Sequence, residues 1–249
     1  MGLTLHYSLK HKGDEKSVRQ RIEQLHQAAQ DLPFKELGTL VDLKGKDCEF
    51  AHRDREDPLR WLLVQADGSL KLDQHSWMGV PPTRVIAFTT WPGDGCEAAN
   101  FGLCQYPTTV EHQDRRLRTK LAGWSWSSFC KTQYASDPQC GGLGNFLRCH
   151  LSVIALLDKA KELGLLESVR DEAGFWDNRD VKALVPEIAS WNQMIAAFVG
   201  QMKDGLGGSI EAPITEFRNF EELELAGQSQ LPPQMQDLTE LIKQVAKKS

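Results

Sequence analysis

The side chains best suited to chemistry sit where predicted strands and helices begin and end. Lys131 and Gln133 fall on one side of WSWSSFCKTQYA (124–135), whose strict alternation predicts a strand. His150 follows on the apolar stripe of a helix, four residues after Phe146 and four before Ile154. The stretch RDEAGFWDNRD (170–180) then places Asp171 and Glu172 at a strand end, with Arg179 close behind. A lysine beside carboxylates can bind an anion or have its proton affinity tuned. A histidine near a helix start can act as a general acid or base, or as a metal ligand. Lys131, Gln133, His150, Asp171, Glu172 and Arg179 therefore define an expected polar cleft. In it His150 or Glu172 exchanges protons and Lys131 stabilises charge. The cleft requires Lys131 and His150 on the same side of the sheet.

Each residue also has a plainer role. A solvent-facing strand edge accounts for Lys131 and Gln133, and a satisfied core histidine accounts for His150. In RDEAGFWDNRD, Asp177 or Asn178 can cap the next helix and Asp180 favours its positive end. Gly174 eases the connection, and Phe175 and Trp176 anchor it on the core.

Cys130, Cys140, Cys149 and His150 are soft metal ligands separated by nine, eight and no residues. Structural zinc sites favour knuckles of two to four residues, so the spacing argues for free thiols over zinc. Cys149 and His150 would also point about 100° apart on a helix. No cofactor is expected. Cys96, in the turn PGDGCE, has backbone amides that can activate a thiol but no histidine at a readable spacing. PGDGCEAAN lacks the Gly-Lys-Ser/Thr ending of a phosphate loop, GGLGNF lacks GxGxxG order, and neither GxSxG nor HExxH occurs.

Hydrophobic residues are 41% and charged residues 25% of the 249, ordinary values for a globular chain. The net charge of −5 argues against nucleic acid as a partner, because phosphate contacts need a basic face. The exception, RRLRTK (115–120), reads as a solvated basic loop. No stretch approaches the roughly 18 apolar residues of a membrane span. The start MGLTLHYSLK has no basic and apolar regions of a secretory signal, so the expectation is a cytosolic protein with reduced cysteines.

The elements that must position these residues follow from periodicity. LTLHYSL (3–9) predicts a strand, and Asp14 caps a helix over about 15–31 with Val18, Ile22, Leu25, Ala29 and Leu32 as its stripe. Strands are expected at 37–43, 61–67, 84–92, 101–107, 124–135 and 165–172, with 44–60 as loop. Helices are expected from Asn145 to about Leu163, ended by Gly164, and over about 179–203 with Pro186 inside. The stripe of the latter is Val181, Leu184, Val185, Ile188, Trp191, Ile195, Phe198 and Met202. A short helix at 219–227 precedes a last one with Asp237 and Glu240 as a capping box. The pattern predicts a single α+β domain over 1–249, with α/β as the alternative. Three main helices pack on a mixed sheet of six or seven strands, and 204–249 is peripheral.

Three pieces, MGLTLHYSL, KTQYA with His150 on the following helix, and DEAGFWDNRD, together resemble a loose group of uncharacterised bacterial proteins. The resemblance spans much of the chain. It implies a bacterial, cytosolic origin and carries over no catalytic residue. With no recognised catalytic motif and seven tryptophans, the sequence favours a protein that binds a small ligand or a protein partner without catalysis. A hydrolase-like enzyme built on the polar cleft is the alternative. Trp124 and Trp126, on one strand face, are either core or an exposed recognition patch.

Overall fold

The first element obeys its alternation. In strand β1 (Thr4–His11), Leu5, Tyr7 and Leu9 are buried while His6, Ser8 and Lys10 face outward. Asp14 then caps helix α1 (Glu15–Gln30) by accepting the backbone N–H of Ser17 at 2.9 Å, and Val18, Ile22, Leu25 and Ala29 form its buried stripe. The structure, a computed structural model, describes residues 3–121, 123–206 and 212–231.

The remaining strands are β2 (Glu36–Leu37), β3 (Val41–Lys44), β4 (Gly68–Lys71), β5 (Trp77–Val80), β6 (Arg84–Trp91), β7 (Ala99–Gln105), β8 (Thr109–His112), β9 (Arg115–Arg118), β10 (Trp124–Lys131) and β11 (Leu166–Asp171). The remaining helices are α2 (Leu59–Ala66), α3 (Gly142–Glu162), α4 (Phe175–Asn178), α5 (Val181–Leu206) and α6 (Phe220–Gly227). The fold is α+β. Its main sheet runs β11-β1-β10-β7-β6-β2, with β3 also paired to β6.

Every pairing in that sheet is antiparallel, where the sequence predicts a mixed sheet. The reason is β1. Helix α3 does carry the chain from β10 to a parallel β11, but β1 inserts between them and runs against both.

The sheet has two faces. On one, Tyr7, Phe101 and Phe88 stack in a row, with ring centroids 4.9 and 5.8 Å apart, and His26 of α1 meets the edge of Phe88. On the other, Val41, Thr89 and Trp91 meet Leu59 and Leu62 of α2. Helix α2 packs on β6 and β7 and reaches β10 through Gln65, whose Oε1 accepts Ser128 Oγ at 2.5 Å and Asn100 Nδ2 at 2.9 Å. The outer half, β11, β1 and β10, leaves His6, Ser8, Ser127, Phe129, Ser168 and Arg170 along a shallow groove. Strand β10 bonds to β7 only at Trp124–Gln105 and Ser125–Cys104, then splays away. The freed carbonyl of Asn100 accepts Tyr7 Oη at 2.7 Å and Trp126 Nε1 at 3.0 Å.

Several expectations are corrected. Residues 61–66 are helical, not a strand, and Asp67 follows as the extended cap. Leu59, Leu62, Leu63 and Ala66 recur at helical spacing, and the Asp57 carboxylate takes the Leu59 N–H at 2.8 Å. The predicted strand at 37–43 is split into β2 and β3, and 44–60 holds two 3₁₀ turns at Gly45–Cys48 and Phe50–His52. Within RRLRTK, Arg115–Arg118 form β9 of a hairpin whose turn places Gln113 and Asp114 at positive φ. Strand β10 stops at Lys131. Thr132 leaves extended backbone, its N–H bonds Leu3 O at 3.2 Å, and a 3₁₀ turn follows at Gln133–Ser136.

Helix α3 starts at Gly142, so Asn145 lies inside it, whereas Gly164 takes positive φ beyond its end as expected. Gly174 also takes positive φ. The cap of α5 is Asp180, which accepts Lys182 N–H at 2.9 Å, because α4 occupies Asp177 and Asn178. Pro186 lies inside α5; Leu184 and Ile188 of its predicted stripe are buried, while Val181 is exposed. A small second core of Ala196, Val199, Ile214, Phe217 and Phe220 joins α5 to α6. The capping box at Asp237 and Glu240 lies outside the described residues. Among the described residues no helix is long and apolar enough to cross a membrane.

Gly102 sits at the middle of β7 opposite Ala87, and a Cβ there would lie 2.3 Å from Ala87 Cβ and 2.6 Å from Ile86 O. Gly102→Ala is expected to destabilise the fold by about 1–3 kcal/mol through overpacking. Urea unfolding with an unchanged m-value checks this; equal midpoints for variant and parent would refute it.

Candidate functional site

Strand pleating separates the two acids that the sequence places together. Asp171 pairs with Leu5 and so points to the helix-covered face, while Glu172, one residue on, points to the open face. Asp171 is buried, and His150 Nε2 donates to its Oδ2 at 3.2 Å. The same carboxylate accepts the N–H groups of Ala173 and Trp176, each at 2.9 Å. Thr132 Oγ1 lies 3.0 Å from His150 Nδ1, and Phe146 stacks on the imidazole at 5.2 Å. Burial alone would raise the Asp171 carboxyl; the bond and attraction of His150 and the two N–H groups outweigh it and hold it below the usual carboxylate value. Hydroxyl, imidazole and carboxylate stand in line as in an acyl-transfer triad. All three are buried, however, and none lines a cavity described for this chain. The arrangement clamps the end of β10, helix α3 and the end of β11 together. His150 is a satisfied core histidine.

The other cleft candidates are dispersed. Lys131 pairs with Thr4 on the open face, opposite to His150, and its Nζ lies over the Tyr134 ring, 4.6 Å from the centroid. Glu172 accepts Thr4 N–H at 3.2 Å and Arg170 Nη2 at 3.0 Å, with His6 Nε2 at 3.6 Å. Gln133, expected beside Lys131, is carried inward by the 3₁₀ turn, where its Nε2 donates to Asn192 of α5 at 2.9 Å. Arg179 forks onto Asp158 at 2.7 and 2.9 Å and stacks on Trp176 at 4.4 Å. The expected hydrolytic cleft is therefore not formed, because Lys131 and His150 lie on opposite sides of the sheet.

The zinc candidates do not converge either. Both nitrogens of His150 are engaged, and Cys130 Sγ donates to Glu97 O at 3.2 Å. Cys149 Sγ donates instead to Asn145 Oδ1 at 3.5 Å and accepts Arg148 Nη2 at 3.3 Å. Among the described residues no group of three or more His, Cys, Asp or Glu is placed to hold a metal ion. The thiols of Cys96 and Cys130 are both pushed up, Cys130 chiefly by burial and Cys96 first by donating to Cys149, whereas that bond holds Cys149 below the ordinary thiol value.

Trp124 and Trp126 are both buried, so of the two expected roles they take the core one and form no exposed patch. The exposed indoles are Trp61 at 69%, Trp77 at 62% and Trp91 at 45%. Trp91 lies at a concavity. It walls a cavity of about 210 Å³ with Val41, Pro58, Leu59, Leu62 and Thr89. It also walls a second cavity of about 260 Å³ with Lys35, Asp94 and Cys96. Glu36, its cross-strand partner, lines both. Comparison of the chain with protein-family models, with curated proteins and with solved structures gives no match. The site thus stands on its own geometry.

Sequence reasoning missed this groove for two reasons. The residue pattern puts Leu59 in a loop and Leu62 in a strand, which hides the helix that forms one wall. Trp91 closes a strand that reads as buried on both faces, although α2 stops short of covering its end. The alternation of RVIAFTTW does place Thr89 and Trp91 on one side, and that was the available signal.

Proposed function

We propose that the chain is a ligand-binding protein whose site is the Trp91 groove, and that it takes a small aromatic molecule bearing an amino group. The observation that carries this reading is the half-exposed Trp91 indole shared by two adjoining cavities. Ligand sites are mostly apolar concavities with a few fixed polar groups. Here Val41, Pro58, Leu59 and Leu62 supply apolar wall, and Thr89 and Glu36 supply acceptors. Lys35 is paired with Asp94 and does not neutralise Glu36. Among the described residues Glu36 has no cation at ion-pair distance, so its carboxylate favours a cationic ligand group. The free state of all six cysteines fits the reducing cytosol, where we place the protein.

Stacking on Trp91 contributes about 0.5–1.5 kcal/mol beyond area burial, so affinity in the high-micromolar to millimolar range is expected for a fragment. Titration of tryptamine, followed by ligand-observed NMR, tests the reading, with indole-3-acetate as the oppositely charged control. Tryptamine should bind more tightly than the acetate, and Glu36→Gln should remove that difference. Trp91→Ala should weaken tryptamine by about tenfold, the equivalent of about 1.4 kcal/mol. Equal affinity in the Trp91→Ala variant rejects the site.

A further inference from the structure

Register orders the open half of the main sheet into two cross-strand rows. Ser127 of β10, Ser8 of β1 and Ser168 of β11 stand directly opposite one another, and so do Phe129, His6 and Arg170. Neighbouring strands lie about 4.8 Å apart, so each row is an evenly spaced set of three side chains on one face. One row carries three hydroxyls. The other carries a phenyl ring, an imidazole and a guanidinium, all flat. All six residues line a groove of about 450 Å³, within the roughly 300–1,000 Å³ of small-ligand sites. On the β10 side it ends at Ser128, which Gln65 of α2 holds. We propose that this groove binds a neutral saccharide, with one pyranose ring seated on Phe129 and its hydroxyls bonded by the serine row and Arg170.

Three features support that ligand class. The first is the ring. Phe129 is 42% exposed, and His6 stands beside it at 6.1 Å and 39°, so the phenyl keeps an uncovered side. A pyranose has an apolar C–H face and a rim of hydroxyls. It can cover the phenyl while its rim reaches the next row. The second is the hydroxyl floor. Ser8 Oγ and Ser168 Oγ lie 2.6 Å apart, so one donates to the other. One proton of that pair, and lone pairs on both oxygens, remain for a ligand. Among the described residues the Ser127 hydroxyl has no partner. The third is charge. Arg170 is paired with Glu172 at 3.0 Å, and Lys10, the next outward residue of β1 after Ser8, with Glu167 at 3.2 Å. Lys131, beyond Phe129 on β10, lies over the Tyr134 ring. These cations are already engaged, which disfavours a phosphate or a nucleic-acid strand and leaves an uncharged polyol as the matching ligand. A protein partner would need a wider apolar centre than one phenyl ring.

The groove is separate from the one at Trp91. Phe129 is on β10 and Trp91 on β6, with β7 between those strands, and the cavities share no lining residue.

Saturation-transfer NMR of the full-length protein with cellobiose and with maltose tests the proposal. A shallow site with one ring implies a Kd of about 1–10 mM, so the sugars are used at millimolar concentration. Saturation should reach the C–H protons of at least one sugar, and the amide shifts it causes in the labelled protein should centre on β1, β10 and β11. Phe129→Ala should remove the saturation. Ser8→Ala should raise the Kd about fivefold through a lost hydrogen bond, and the larger ring of Phe129→Trp should lower it about threefold. Trp91→Ala should leave the sugar titration unchanged, and Phe129→Ala should leave tryptamine binding unchanged, so the two sites fail separately. No saturation of either sugar by the parent protein overturns the proposal, as does saturation that persists in Phe129→Ala. Tighter binding of glucose 6-phosphate or of a thymidine oligonucleotide than of either sugar overturns the neutral ligand class. Should Phe129→Ala not fold, Phe129→Trp and the amide shifts of the parent protein decide.

Discussion

Asp171→Ala is expected to cost the fold about 3–5 kcal/mol, the range for removing one partner of a buried ionic pair. The carboxylate is the common acceptor of His150 Nε2 and the N–H groups of Ala173 and Trp176, all at 2.9–3.2 Å. Alanine leaves three donors without an acceptor in a buried place. The Asp171 carboxyl lies below its usual value, burial opposing and His150 and the two N–H groups prevailing. Its contribution is therefore present above the unfolded-state value near pH 4 and is lost as pH falls through the lower native value. Denaturant titrations at pH 7 and pH 3 check both parts. The gap between parent and variant should be widest at pH 7 and should narrow in acid. A gap that widens in acid would falsify the assignment of the clamp.

Phe101→Ala should cost a similar amount, about 3–5 kcal/mol, through the cavity it leaves. Phe101 is fully buried between Tyr7 and Phe88, with centroids 4.9 and 5.8 Å away. It is the middle ring of the stack, so its loss removes two aromatic contacts and unsupports the junction where β10 leaves β7. Tyr7→Phe keeps the ring and removes the hydroxyl with its bond to Asn100 O, for which about 1 kcal/mol is expected. Guanidinium unfolding of both variants separates packing from hydrogen bonding. Equal losses would show that the hydroxyl, and not the ring stack, holds the junction.

The candidate residues show where reading a chain stops. Asp171 and His150 were visible as a strand end and a buried helical position, and they do meet. Lys131 was also visible on the alternating strand, yet it faces away from both. The difference is register. Tyr7 opposite Ser128 puts Lys131 beside Thr4 on the open side, and no local property of 124–135 encodes which partner β1 offers it. Gln133 failed for a different reason. The alternation continues in the letters to residue 135, but the Thr132 N–H is taken by Leu3 O, a contact 129 positions distant in sequence (132 − 3), and the strand ends there.

The sequence by itself determined the elements whose period and caps are local: β1, α1 with its Asp14 cap, β6, β7, α3 with Gly164 after its last turn, β11 and α6. It determined too that the sheet and helices would share one class of architecture, α+β. Tertiary structure alone decided the strand order, with β1 between β10 and β11, and the meeting of Trp91 with α2. The physical reason is that periodicity tells which side chains face a core, whereas partners across a sheet are chosen by packing and by hydrogen bonds between segments a hundred residues or so apart.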